Sequence, residues 1–200
     1  MPTPYHHGSL REVLLAEGRQ LLMEEGPNAV TIRGLAKRAG VSHSAPLRHF
    51  ADRDALLDAI AAEGFEELSV ALSAAEGQDD FAAHLRDYAH AHVHFALDNG
   101  PLMELMFAGS PRAADSPAAS AASRFFGRGA AMLGEDGEGR PGPLPFLLAG
   151  MLEGISSLAS TGRLVPDQVD EVTDAAVAVL LPAIVEQLDR VQRGMGGQLR

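Results

Sequence analysis

The sequence predicts an all-α protein of about nine helices, with a three-helix helix-turn-helix domain over residues 1–52 and a larger helical domain over residues 53–200. Three observations carry that expectation. Strand-like alternation is absent, and alanine and leucine outnumber the β-branched residues. Apolar positions recur at helical spacing between glycine and proline stops. The charge is divided: residues 1–50 hold six Arg/Lys against four Asp/Glu, the remainder ten against 23, for a formal total of −11.

The first helix runs roughly from His7 to Glu25, where Leu10, Leu14, Gly18 and Leu21 share a face and Gly26-Pro27 ends it. Thr31 caps a short second helix with apolar positions Ile32, Leu35, Ala36 and Ala39, and Gly40 stops it. Ser42 caps a third, short helix through Arg48. Asp52 caps a long fourth helix, whose stripe is Leu57, Ile60, Phe65, Leu68 and Leu72 and whose end is near Gly77. A fifth is expected over about Asp79 to Asp98, a sixth after Pro101 and a seventh over about Ala118 to Leu133. GEDGEGRPGPLP, residues 134–145, reads as a loop. Two helices close the chain, about Leu144 to Ser160 and about Pro166 to Gly194. The last carries Val169, Val172, Ala176, Val179, Leu180, Ile184 and Leu188 on its apolar side and a kink at Pro182.

Residues 31–50 hold four basic residues and no acidic one, a local patch of the kind phosphate contact requires. Ala36 and Gly40 are small at a four-residue spacing, which lets two helices cross closely, and Gly40 suits a left-handed turn. Val41, Pro46 and Phe50 then pin the following segment, leaving Ser42, His43, Ser44, Leu47, Arg48 and His49 to face outward. Hydroxyls and imidazoles followed by arginine suit a major groove, where polar groups read base edges and cations hold phosphates. Thr31, Arg33 and Arg53 flank the segment.

YHHGSLREVLL followed by LLMEEGPNAVTIRGLAKRAGVSHSAPLRHFADRDALL resembles the DNA-binding domain of the TetR family over about the first 60 residues. The opening Tyr-His-His-Gly and AGVSHSAP with RHF look like the subgroup whose C-terminal half is called the WHG domain. The resemblance implies a homodimeric repressor that binds a palindromic double-stranded DNA operator. It also implies that residues 53–200 form a ligand-binding and dimerisation domain, with DNA released when a small-molecule effector binds. Leu47-Arg48 stands where the family usually places a phosphate-contacting tyrosine, and Gly34 where a charged helix former is common. Ala149, Glu153 and Gly154 stand where the name-giving tryptophan, histidine and glycine would be.

For an effector pocket the sequence offers Tyr88, His92, Phe95, Met103, Met106, Phe107, Phe125, Met151 and Glu153, soft and aromatic side chains with a few polar anchors. Such residues fill ordinary cores equally well. The expected dimer interface comprises Leu147, Gly150, Met151, Gly154, Val177, Leu180, Leu181, Ile184 and Leu188, with the glycines allowing close helix approach. In HAHVH, residues 90–94, His92 points away from His90 and His94, so the three cannot share one ion. Asp87, His90, His94 and Asp98 do share a face; a solvated polar face is the expectation, and a metal-responsive regulator is the alternative. A second alternative is an acidic helical protein-interaction module.

No cysteine is present, which excludes disulfides and thiolate metal sites. HExxH, GxSxG and a glycine-rich phosphate loop after a strand are all missing, so the sequence reads as a non-enzyme without a cofactor. The start of the chain lacks the basic and apolar regions of a signal peptide, and the apolar stretch from Pro141 to Gly162 is broken by prolines. A cytoplasmic protein without a membrane span is expected.

Overall fold

The computed structural model describes residues 7–73, 80–107, 115–135 and 142–197, with the backbone alone at 7–9 and 194–197. Eight α-helices and two short 3-10 turns, and no strand, occur among the described residues: α1 (His7–Glu25), α2 (Ile32–Arg38), α3 (Arg53–Ser73), α4 (Phe81–Asp98), α5 (Gly100–Phe107), α6 (Pro117–Met132), α7 (Pro143–Ser160) and α8 (Pro166–Gly197). The expected end of the fourth helix near Gly77, the start of the fifth at Asp79 and residues 136–141 of the expected loop lie outside the described residues.

The expected third helix is the exception. Residues 46–48 form only a 3-10 turn, because Pro46 has no amide to bond back to Ser42. The segment closes instead on i to i−3 bonds, Ala45 N donating to Ser42 O at 3.0 Å, Arg48 N to Ala45 O at 3.2 Å and His49 N to Pro46 O at 2.9 Å.

Of the described residues, those up to Glu66 together with Asn99–Ala122 make one compact unit, and Glu67–Asp98 with the residues from Ser123 onward make the other. In the first, Leu14 and Leu22 of α1, Leu35 of α2, Leu56, Ile60 and Phe65 of α3, and Leu102 and Met106 of α5 are buried. Each such side chain contributes roughly 1.5–3 kcal/mol through its removal from water. Gly18 faces α3 closely: a Cβ there would stand 2.9 Å from Ile60 Cδ1, so that methyl group would have to shift. The carboxylate of Asp58 caps α6, accepting from Ala118 N at 3.1 Å and from the Ser116 hydroxyl at 2.8 Å.

In the second unit, α4, α7 and α8 pack on one another through Leu85, Ala89 and Val93, then Leu144, Leu148, Leu152 and Ile155, then Val169, Ala176, Val177, Leu180 and Ile184. α7 is long and apolar enough to cross a membrane by length and composition alone. Its buried stripe belongs to this helical core, the ordinary position of such a helix in a folded domain. α8 continues through Pro182, which is exposed.

Candidate nucleic-acid interface and ligand pocket

The helix-turn-helix segment is held by local chemistry at each joint. The Thr31 hydroxyl accepts from Gly34 N at 3.1 Å and so caps α2. At the other end, Gly40 takes φ 67°; its amide bonds Lys37 O and the Val41 amide reaches back to Ala36 O, which closes the helix in a Schellman turn. Arg38 binds Glu17 at 2.7 Å and ties α2 to α1. Below the exposed surface, Pro46 and Phe50 are buried and Val41 is half-buried, and the Arg11 guanidinium lies 5.5 Å from the centre of the Phe50 ring.

What this frame leaves outside is a polar, basic edge. Thr31, Arg33, Ser42, His43, Ser44, Leu47 and Arg48 are exposed, whereas His49 is half-buried. Lys37, absent from the expected contact set although it belongs to the acid-free patch, is exposed beside them. Arg53 is differently occupied: its guanidinium donates to Val30 O at 2.8 Å and to Pro27 O, so it locks the loop before α2 to the start of α3. Asp52 caps α3 by accepting from Ala55 N at 2.8 Å, which takes up one of the amides that a phosphate would use.

The second unit contains a cavity of about 350 Å³. Leu72, Tyr88, Phe125 and Met132 form its apolar lining, and Ser69, Ser73, His84 and Arg128 bring polar groups to it. Burial pushes the Tyr88 phenol up to about 12, so it remains a hydroxyl that can donate a hydrogen bond. Of the pocket residues expected from the sequence, only Tyr88 and Phe125 line this cavity. Met103 and Met106 are buried core residues of the first unit, and Phe107 packs edge-to-face on Phe65 at 5.5 Å. Phe95, Met151, His92 and Glu153 lie elsewhere in the second unit. His92 is 4% exposed, its ring nitrogens have no hydrogen-bond partner among the described residues, and Glu153 Oε1 stands 3.8 Å from its Nε2. Ser69 and Ser73 come from the end of α3, His84 from α4 one turn before Tyr88 and Arg128 from α6, and none of the four is in the expected set.

The expected dimer face also divides. Val177, Leu180 and Ile184 are buried within their own chain, against α4 and α7, and are not available to a partner. Leu147 is half exposed and Gly150 and Gly154 are exposed, while Met151, Leu181 and Leu188 are half-buried. Beside the exposed members lie apolar residues not in the expected set: Phe146 at 65% exposure on α7 and Val179 at 73% on α8, with Ala175, Ala178, Pro182 and Ala183 along the same exposed stripe. The polar stripe of α4 meets α8, with His90 and His94 facing Asp170 and Asp174.

Residues 14–60 match the sequence profile described as bacterial regulatory proteins, tetR family. Among solved structures, a protein of unknown function from a Rhodococcus species is 37% identical, with TM-score 0.79, 91% of this chain covered and 98% of that one. The TetR family transcriptional regulator PfmR from Thermus thermophilus shares the fold at 22% identity and TM-score 0.60, over 84% of this chain and 97% of its own. A TetR-family transcriptional regulator from Streptomyces coelicolor shares it at 17% identity and TM-score 0.65, over 96% of this chain and 90% of its own. No curated protein matches the chain.

Proposed function

This chain belongs to the TetR family of bacterial transcriptional regulators, and from that premise we propose that it is a cytoplasmic repressor that binds a palindromic operator as a homodimer and leaves it when a small molecule binds. Residues 1–52 engage DNA, and residues 53–200 sense the effector and dimerise. The observation that carries the reading is the exposed edge made by Arg33, Lys37, Ser42, His43, Ser44 and Arg48 within a segment that holds no acidic residue. Arg33, Lys37 and Arg48 hold backbone phosphates, and His43 and Ser44 reach base edges. Arg53 serves DNA binding indirectly, by fixing the loop that carries Thr31.

The exposed apolar faces of α7 and α8 support the dimer. Phe146, Leu147, Gly150 and Gly154 on one helix and Ala178, Val179, Pro182 and Ala183 on the other recur at helical spacing, and a second copy covers them in a four-helix arrangement. Two recognition segments then meet successive major grooves roughly 34–36 Å apart. The effector occupies the cavity beside Tyr88, and its size and lining suit a small, largely apolar molecule with a polar or anionic end near His84 and Arg128. Its binding favours a dimer state that no longer matches the groove spacing, a coupling typically of about 1–3 kcal/mol.

Selection of duplexes from a random-sequence DNA pool tests the proposal. Enrichment of a palindrome establishes the operator, and the absence of enrichment at every salt concentration overturns DNA recognition.

A further inference from the structure

We propose that His90 and His94 of α4 and Asp170 of α8 form a binding site for a divalent transition-metal ion of the zinc class, which joins the two helices. His90 and His94 are one helical turn apart, their rings nearly parallel at 20° with centres 6.2 Å apart. Both aim a ring nitrogen at the same oxygen: Asp170 Oδ1 is 3.2 Å from His90 Nδ1 and 3.0 Å from His94 Nε2. One ligand atom from each of the three residues falls within 4.8 Å of the other two. Nitrogen and oxygen ligands around a tetrahedral zinc ion stand about 3.3–3.6 Å apart, given bonds of about 2.0–2.2 Å, so the three groups need only local side-chain adjustment to take an ion.

The second set of contacts makes the site more than a chance meeting of polar side chains. His90 Nε2 lies 2.7 Å from Asp174 Oδ1, and Asp174 is itself gripped by Arg86 through paired bonds of 2.6 and 2.7 Å. A neutral imidazole carries one N–H. Donated to Asp174, it fixes the tautomer in which His90 Nδ1 presents a lone pair toward Asp170 and His94, the arrangement by which a carboxylate orients a metal-ligating histidine. An ion bound here takes a lone pair from His90 Nδ1, one from His94 Nε2 and an oxygen of Asp170. Arg86 holds the Asp174 carboxylate in place as the acceptor through those paired bonds. Imidazole with carboxylate suits zinc, nickel or copper, and three protein ligands leave a position for water. The sequence pointed to the histidines but paired them with Asp87 and Asp98 of their own helix; the third ligand instead comes from α8, 76 residues beyond His94.

The test uses the full chain, stripped with a chelator and titrated with zinc sulfate against a chromophoric competitor, with cobalt(II) absorption read in parallel. One equivalent per chain is expected to bind with Kd of about 10 μM or tighter. His94→Ala and Asp170→Asn should each weaken binding at least tenfold, and Asp174→Asn roughly 10- to 100-fold. Glu171→Gln, which alters an exposed neighbour on α8, should bind as the parent does, and circular dichroism on every variant separates lost ligation from lost helix. Weaker or non-stoichiometric binding, or binding that survives His94→Ala in a folded protein, overturns the site and leaves a hydrogen-bonded His–Asp network.

Discussion

The recognition edge and the α4–α8 seam use the same residue types in opposite ways. Around residues 31–50, Arg33, Lys37 and Arg48 stand exposed in a segment free of acidic residues. Along the seam, Arg86, His90 and His94 are met by Asp170 and Asp174 from the facing helix. The first arrangement keeps cations available for a polyanion; the second pairs basic side chains with carboxylates inside the chain. The formal charge of −11 averages over the two and describes neither.

The largest effect is expected inside the second unit. Ile184→Ala removes a fully buried side chain from the helical core and should lower stability by about 2–5 kcal/mol, seen as a lower urea midpoint. Val179→Asp, on the exposed stripe of the same helix, should leave the protomer folded and abolish the dimer in light scattering. Equal stability losses in the two variants would erase the distinction drawn between core and partner face.

On the recognition edge, His43→Ala and Ser44→Ala should change the preference among operator variants by roughly 1–3 kcal/mol at single positions, read by competition between duplexes. Arg48→Ala should weaken binding to all sequences alike and reduce the salt slope by about one. A variant at Arg48 that alters base preference instead would move that side chain from phosphate to groove floor.

The smallest effect belongs to the seam. Because the Asp174 carboxyl is held below its ordinary range by its bonds to Arg86 and His90, its contribution to stability is present above the usual carboxylate range and fades as pH falls through the lowered value. Asp174→Asn should therefore narrow the difference in urea midpoint between pH 7 and pH 3, and only modestly, since exposed ion pairs contribute little. An unchanged difference would show the seam to be electrostatically idle.

These contrasts also explain what was legible in the sequence. The helix-turn-helix was, because Thr31, Gly40 and Pro46 act on backbone within a few residues of themselves. The same proline was underread: it leaves the recognition segment a 3-10 turn where continuous helix was expected. In α8, Val169, Val172, Ala176, Val179, Leu180 and Ile184 read as one stripe, yet Val179 is exposed while Leu180 and Ile184 are buried. An apolar face buried in the chain's own core and one left exposed carry the same residue types, and periodicity alone cannot separate them. The cavity and the His90–Asp170 meeting depend on helices far apart in the chain, which no local spacing reports.

DNA recognition by the basic edge is tested at its root by the affinity of the intact protein for a selected palindromic duplex as a function of salt. Tight binding is expected, with a steep linear fall of log affinity against log salt, since phosphates held by Arg33, Lys37 and Arg48 release counterions. Binding that is weak and flat with salt would contradict it, and would mean that the basic edge does not meet DNA.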